Sequence, residues 1–182
     1  AMGVTVCNRV LRDGPVTDKD RDALEAELAR HDNHQGFIRS LKHERTLGLA
    51  HYAGMKNWFN RALFNKDEAR FLELMQEQID LAPKPYGEFV KAVQNFKATD
   101  GTAKPLASLW FPAAQKTREA MERVRGVVRC LRVLNALQRA GVKPGDGEPK
   151  LSDLKLPAGA TTDPFTDEPL HVKVVNSDWV IY

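Results

Sequence analysis

Two cysteines, Cys7 and Cys130, are all that the chain holds. They have no CxxC or zinc-knuckle spacing. They could form one disulfide between the N-terminal arm and a long helix, or remain two buried thiols. Long apolar runs are also missing. The most apolar stretch, from Pro105 to Ala114, is interrupted by Ser108 and Pro112 and is too short to cross a membrane. No basic patch followed by an apolar block opens the chain, so no signal peptide is visible. Ala1-Met2-Gly3 reads as a cloning remnant, which leaves an upstream anchor or signal as an expectation. Charge of one sign is scarce: the net charge of +3 is too small to imply a nucleic-acid partner. The chain also lacks GxSxG, GxGxxG, P-loop and HExxH motifs, so no familiar catalytic signature is present.

What is present is an ordinary globular mixture of 42% hydrophobic and 28% charged residues over 182 positions. That length suits one domain with a proper core. An alternating arm at residues 4–10 precedes the break Gly14-Pro15. Thr17 then reads as an N-cap with Asp20 in the first turn, starting a helix over 18–30. A second helix is expected over 35–53, with Phe37, Leu41 and Leu49 on its apolar face. A short helical piece over 57–63 should be followed by a new helix starting at Asn65, with Glu68 in a capping-box position. Pro83 and Pro85 end that helix, and another follows to Phe96. A short apolar helix is expected over 105–111, broken at Pro112. The strongest pattern is a helix over 113–139, where Met121, Val124, Val128, Leu131, Leu134 and Leu137 make an apolar stripe. Gly141 closes it. The last segment alternates and β-branches around Asn176-Ser177, which predicts a tight hairpin.

The expected fold is therefore mainly α: a multi-helix domain with one long C-terminal helix followed by a small antiparallel β-hairpin. Residues 1–16 form an arm, 17–141 the helical domain, and 142–182 a loop and hairpin packed on it, all in one globular unit.

The segment "RCLRVLNALQRAG", then "LSDLKLP", then "TDPFTDEPLHVKVVNSDWVIY" resembles the C-terminal region of uncharacterised planctomycete-type envelope proteins. Those carry a DPF-x-G-x-P-L segment followed by a hairpin. Asp167 stands where they have glycine. More distantly, the same region is similar to the soluble domain of type II secretion major pseudopilins. The resemblance implies an exported, membrane-anchored protein without catalytic activity.

Five groups of residues are candidates for chemistry. His31, His34 and His43 have side chains suited to zinc, and equally suited to solvated junctions. Asp163 and Asp167 could offer hard oxygens to calcium, or Asp163 could form a turn before Pro164. Trp58 and Trp110, each followed by phenylalanine, could line an apolar ligand pocket or simply pack in the core. Glu44-Arg45 reads as a structural ion pair. Arg118, Arg125, Arg129, Arg132 and Arg139 recur at steps of 7, 4, 3 and 7 residues, which places them on one helix face. Such a stripe could meet an anionic partner. It could instead pair internally with Asp67, Glu68, Glu73, Glu77 and Asp80 on the helix expected over 65–82.

The expectation is thus a non-catalytic extracytoplasmic structural or interaction domain with no required cofactor and a protein partner at the cell envelope. No nucleic-acid partner is expected, and a membrane tether would lie upstream. A helical ligand-binding domain is the first alternative. The second is a metal-dependent enzyme built on the histidines.

Overall fold

In a computed structural model, the chain is described over residues 16–55, 61–99 and 105–182, with side chains at 16–55, 64–95 and 114–182. The described residues form five α-helices followed by a two-stranded antiparallel sheet. The helices are α1 (Asp18–His31), α2 (Gln35–Met55), α3 (Arg61–Leu81), α4 (Tyr86–Thr99) and α5 (Pro105–Arg139). The strands are β1 (Val172–Val175) and β2 (Asp178–Ile181). The chain is mainly helical with a C-terminal hairpin, as its periodicity requires. The arm at residues 4–10 lies outside the described residues.

These elements make two compact units. One comprises His34–Glu122; the other comprises residues 16–33 and 123–182. The helix α5 contributes its first part to the former and its second part to the latter.

The His34–Glu122 unit has an apolar core. Phe37, Leu41 and Tyr52 from α2 meet Phe71, Leu74, Met75 and Ile79 from α3 and Phe89 and Val93 from α4. Gly48 lets α2 and α3 approach closely: a Cβ there would fall 2.3 Å from the Phe71 ring. The start expected at Asn65 is not a boundary, because α3 runs from Arg61 through it. The burial of Asp67 and Phe71, with Phe64 packed against the same core, holds this stretch on one helical face. The break expected at Pro112 is likewise absent. Pro105 occupies the first helical position, where a missing N–H costs nothing, and α5 continues through Pro112 with one fewer backbone hydrogen bond.

The second unit joins α1, the remainder of α5 and the C-terminal segment. Thr17 and Asp20 form a complete capping box at the start of α1. Leu24 and Leu28 pack with Val128 and Leu131. Beyond α5, Leu170 enters a cluster with Val133 and Leu137. Val172, Trp179 and Ile181 from the inner face of the hairpin pack around it. The pairing Val175↔Asp178 leaves a two-residue loop in which Asn176 and Ser177 have φ of 52° and 65°. Two successive left-handed residues give the turn twist that matches paired strands. Val124, expected in the apolar stripe, is instead 61% exposed, as is Val127. The inward side of α5 carries Arg129 and Arg132 beside Val128, Val133 and Leu137.

Candidate functional site

In the His34–Glu122 unit the inward charge is Arg118, fully buried on α5. Its Nη1 donates to the Ala82 carbonyl and its Nη2 donates to the Lys84 carbonyl at 2.9 Å. Both acceptors lie just beyond the end of α3, where helix carbonyls lack intrahelical donors and a cation is favoured. Arg118 Nε stands 2.7 Å from Oε1 of Glu122, one turn later on α5 and equally buried. The guanidinium carbon sits 5.3 Å and 5.4 Å from the ring centroids of Phe37 and Phe89. Those rings also meet edge to face. Arg118 thus closes a helix end, pairs a carboxylate and faces two aromatic rings. The His34 Nδ1 lies 3.6 Å from the same Glu122 oxygen.

In the second unit the centre is Asp32, directly after α1. Its side chain is 5% exposed. Arg125 Nε donates to Oδ1 at 3.2 Å, Arg129 Nε to Oδ1 at 3.0 Å, and Arg132 Nη1 to Oδ2 at 3.0 Å. Arg132 also donates through Nε to Glu25 at 2.9 Å, and Arg139 pairs with Asp22. Arg129 extends further and donates from Nη1 to the Thr162 carbonyl at 2.6 Å. It therefore ties the end of α1 to the C-terminal segment. In the reverse direction, Arg21 on α1 donates to Gln138, and the Asn135 amide donates to the Arg21 carbonyl.

The arginine stripe consequently finds its anions inside the chain. The partner is not the acidic helix expected over 65–82. Four of the five arginines pair with Asp22, Glu25 and Asp32, and Arg118 pairs with Glu122. The acids of α3 have other occupations. Asp67 accepts the Tyr52 hydroxyl at 2.9 Å, Glu73 pairs with Arg70, and Asp80 accepts from Gln76. Burial, and then this hydrogen bond to Asp67, push the Tyr52 phenol well above the usual tyrosine range. Arg45, expected to pair with Glu44, donates instead to Gln76 at 2.8 Å.

The histidines serve local contacts. His31 Nε2 lies 3.2 Å from Glu27, whose carboxyl is held below its ordinary range by Arg30 and then by His31. His43 is exposed. No three His, Cys, Asp or Glu side chains converge to hold a metal among the described residues. Asp163 makes a turn of its own: its Oδ1 accepts from the Phe165 amide and its Oδ2 from the Thr166 hydroxyl. Asp167, whose amide donates to the Asp163 carbonyl, adopts φ of 59°. Trp58 lies outside the described residues. Trp110 falls within α5, but its side chain is outside them too. Cys130 is a free thiol that donates to the Ile181 carbonyl. Burial, reinforced by the Asp163 charge, raises its pKa. Cys7 is outside the described residues.

Sequence reasoning missed Asp32 as the focus of the stripe. A signal was available: Asp22 and Glu25 on α1 and Asp32 just past its end recur at steps of 3 and 7 residues, as several of the arginines do. The Ala82, Lys84 and Thr162 carbonyls leave no side-chain signal at all. No protein-family model, no curated protein and no solved structure matches the chain.

Proposed function

We propose that the chain is a non-catalytic structural or interaction module that works outside the cytoplasm, tethered to the envelope by a segment upstream. The observation that carries this reading is the internal use of charge. Arg118, Arg129 and Arg132, buried, and Arg125, partly buried, are the strongest candidates for binding an anion and are engaged by the chain's own carboxylates and carbonyls. Such pairs fix a conformation; they offer no open acid, base or nucleophile to a substrate.

Three further features support the reading. Asp167 takes a left-handed conformation at the position where the DPF-x-G-x-P-L relatives carry glycine, the residue that adopts it at least cost. The DPF turn also packs on α5, with Pro164 3.7 Å from the position a Cβ would take at Gly126. Val124 and Val127, three residues apart on α5 and each 61% exposed, offer apolar surface for a partner. The test is a fusion of the full gene product to a reporter that is active only after export. Activity of the exported reporter, with crosslinks from a photoreactive residue at Val127 to one recurrent protein, is expected. A reporter active only in the cytoplasm would overturn the compartment, and absence of any recurrent crosslink would overturn the interaction role.

A further inference from the structure

The seam between α1 and α5 is unusual for a helix pair, because charge dominates it. Among the described residues its apolar cluster is Leu24 and Leu28 against Val128 and Leu131. Its polar part runs the length of α1. Asp22 meets Arg139, Glu25 meets Arg132, and Asp32 meets Arg125, Arg129 and Arg132. Ascending acids thus meet descending arginines, which fixes an antiparallel register. Arg21 and Asn135 add reciprocal hydrogen bonds.

Opening such a seam exposes little apolar surface, and the separated ions regain water. Elements held in this way fall at the low end of local stability. The segment also has a break at its end: residues 32–34 are bends between α1 and α2. Whatever replaces α1 must present carboxylates on a helix at these same intervals. The segment that does so is α1 itself.

We propose that α1 is an exchangeable strap, and that the arginine face of α5 accepts α1 of a second copy in place of its own. The exchanged contacts are the same as the internal ones, so the exchange gains or loses little beyond association entropy and the conformation of residues 32–34. In the closed chain α1 acts as an inhibitor of its own docking face. The proposal deepens the interaction role above, resting on it only in taking the chain to work by binding.

The test uses the full chain and a labelled synthetic peptide of residues 16–34. Saturable binding by fluorescence anisotropy is expected, together with faster hydrogen exchange in the α1 of the full chain as the peptide displaces it. A peptide carrying Asp32→Asn and Glu25→Gln should bind at least about tenfold more weakly, because the two carboxylates behind four of its ion pairs lose their charge. Placing the changes in the peptide leaves the folding of the protein untouched. In the complementary arm, Asp32→Asn in the full chain should bind the wild-type peptide about tenfold more tightly, since the strap then opens more often. Absence of binding, or equal binding of both peptides, would overturn the proposal. Neither outcome depends on compartment or on an external partner, so the result stands apart from the reporter and crosslinking experiments.

Discussion

Around Phe37 and Phe89 the chain buries one guanidinium among aromatic rings, whereas around Asp32 it gathers three guanidinium groups on one carboxylate. The same helix supplies both sets. In the His34–Glu122 unit an apolar core of three helices surrounds Arg118, so the charge is a single device closing the end of α3. In the other unit four apolar side chains cluster at the α1 seam among the described residues, alongside a run of ion pairs. The difference teaches that a row of like residues at helical spacing has no fixed meaning. Its role depends on how much apolar surface surrounds each member.

The largest effect is expected where a buried charge loses its paired carboxylate or guanidinium on α5. Arg118→Ala should destabilise the chain by about 3–5 kcal/mol in denaturant unfolding, because Glu122 is left buried and the end of α3 uncovered. Arg118→Met combined with Glu122→Leu should recover much of this loss. If the double substitution is as damaging as the single one, the ion pair is more than a replaceable part of the core. Asp32→Asn should cost roughly 2–3 kcal/mol, since three arginines keep an acceptor but lose their charge complement. An effect equal to that of Arg118→Ala would erase the contrast between the units.

Gly48→Ala probes the apolar side of the comparison. Its Cβ would lie 2.3 Å from the Phe71 ring, so that buried ring or the α2–α3 approach must shift. A loss of about 1–3 kcal/mol by thermal or chemical unfolding is expected. Alkaline pH should also act through this unit. The raised phenol of Tyr52 contributes stability that is present below the ordinary tyrosine value of 10.0 and is lost as pH rises beyond it. Ultraviolet difference titration should show a phenol ionising above the ordinary tyrosine range, and Tyr52→Phe should remove it and flatten the alkaline loss. The smallest effect belongs to the hairpin. Ser177→Gly should raise stability by up to about 1 kcal/mol, because glycine takes the φ of 65° without a Cβ penalty.

Much of the fold was legible because local signals and burial agree. Thr17 and Asp20 mark the start of α1 in composition and in hydrogen bonds alike. Pro83 and Pro85 separate α3 from α4, and Asn176-Ser177 marks the turn between β1 and β2. Local signals failed where tertiary burial overrode them. Asn65 with Glu68 resembles a helix start, but α3 continues through it to bury Asp67 and Phe71. The stripe read on α5 holds at Met121, Val128, Leu131 and Leu137 and fails at Val124, which is exposed, while arginine stems and paired head groups share the inner side. Internal pairing of the arginines followed from the modest net charge. Which acids they meet did not, because spacing on one helix fixes a face and not the element that covers it.

The central claim is that charge, focused on Asp32, holds α1 to α5, while apolar packing holds the His34–Glu122 unit. Hydrogen exchange followed by mass spectrometry on the wild type and Asp32→Asn tests it most directly. Amides of Asp18–His31 should lose at least about tenfold in protection in the variant, while those of Phe71–Leu81 keep theirs. Unchanged protection of α1, or an equal loss in both segments, would contradict the account.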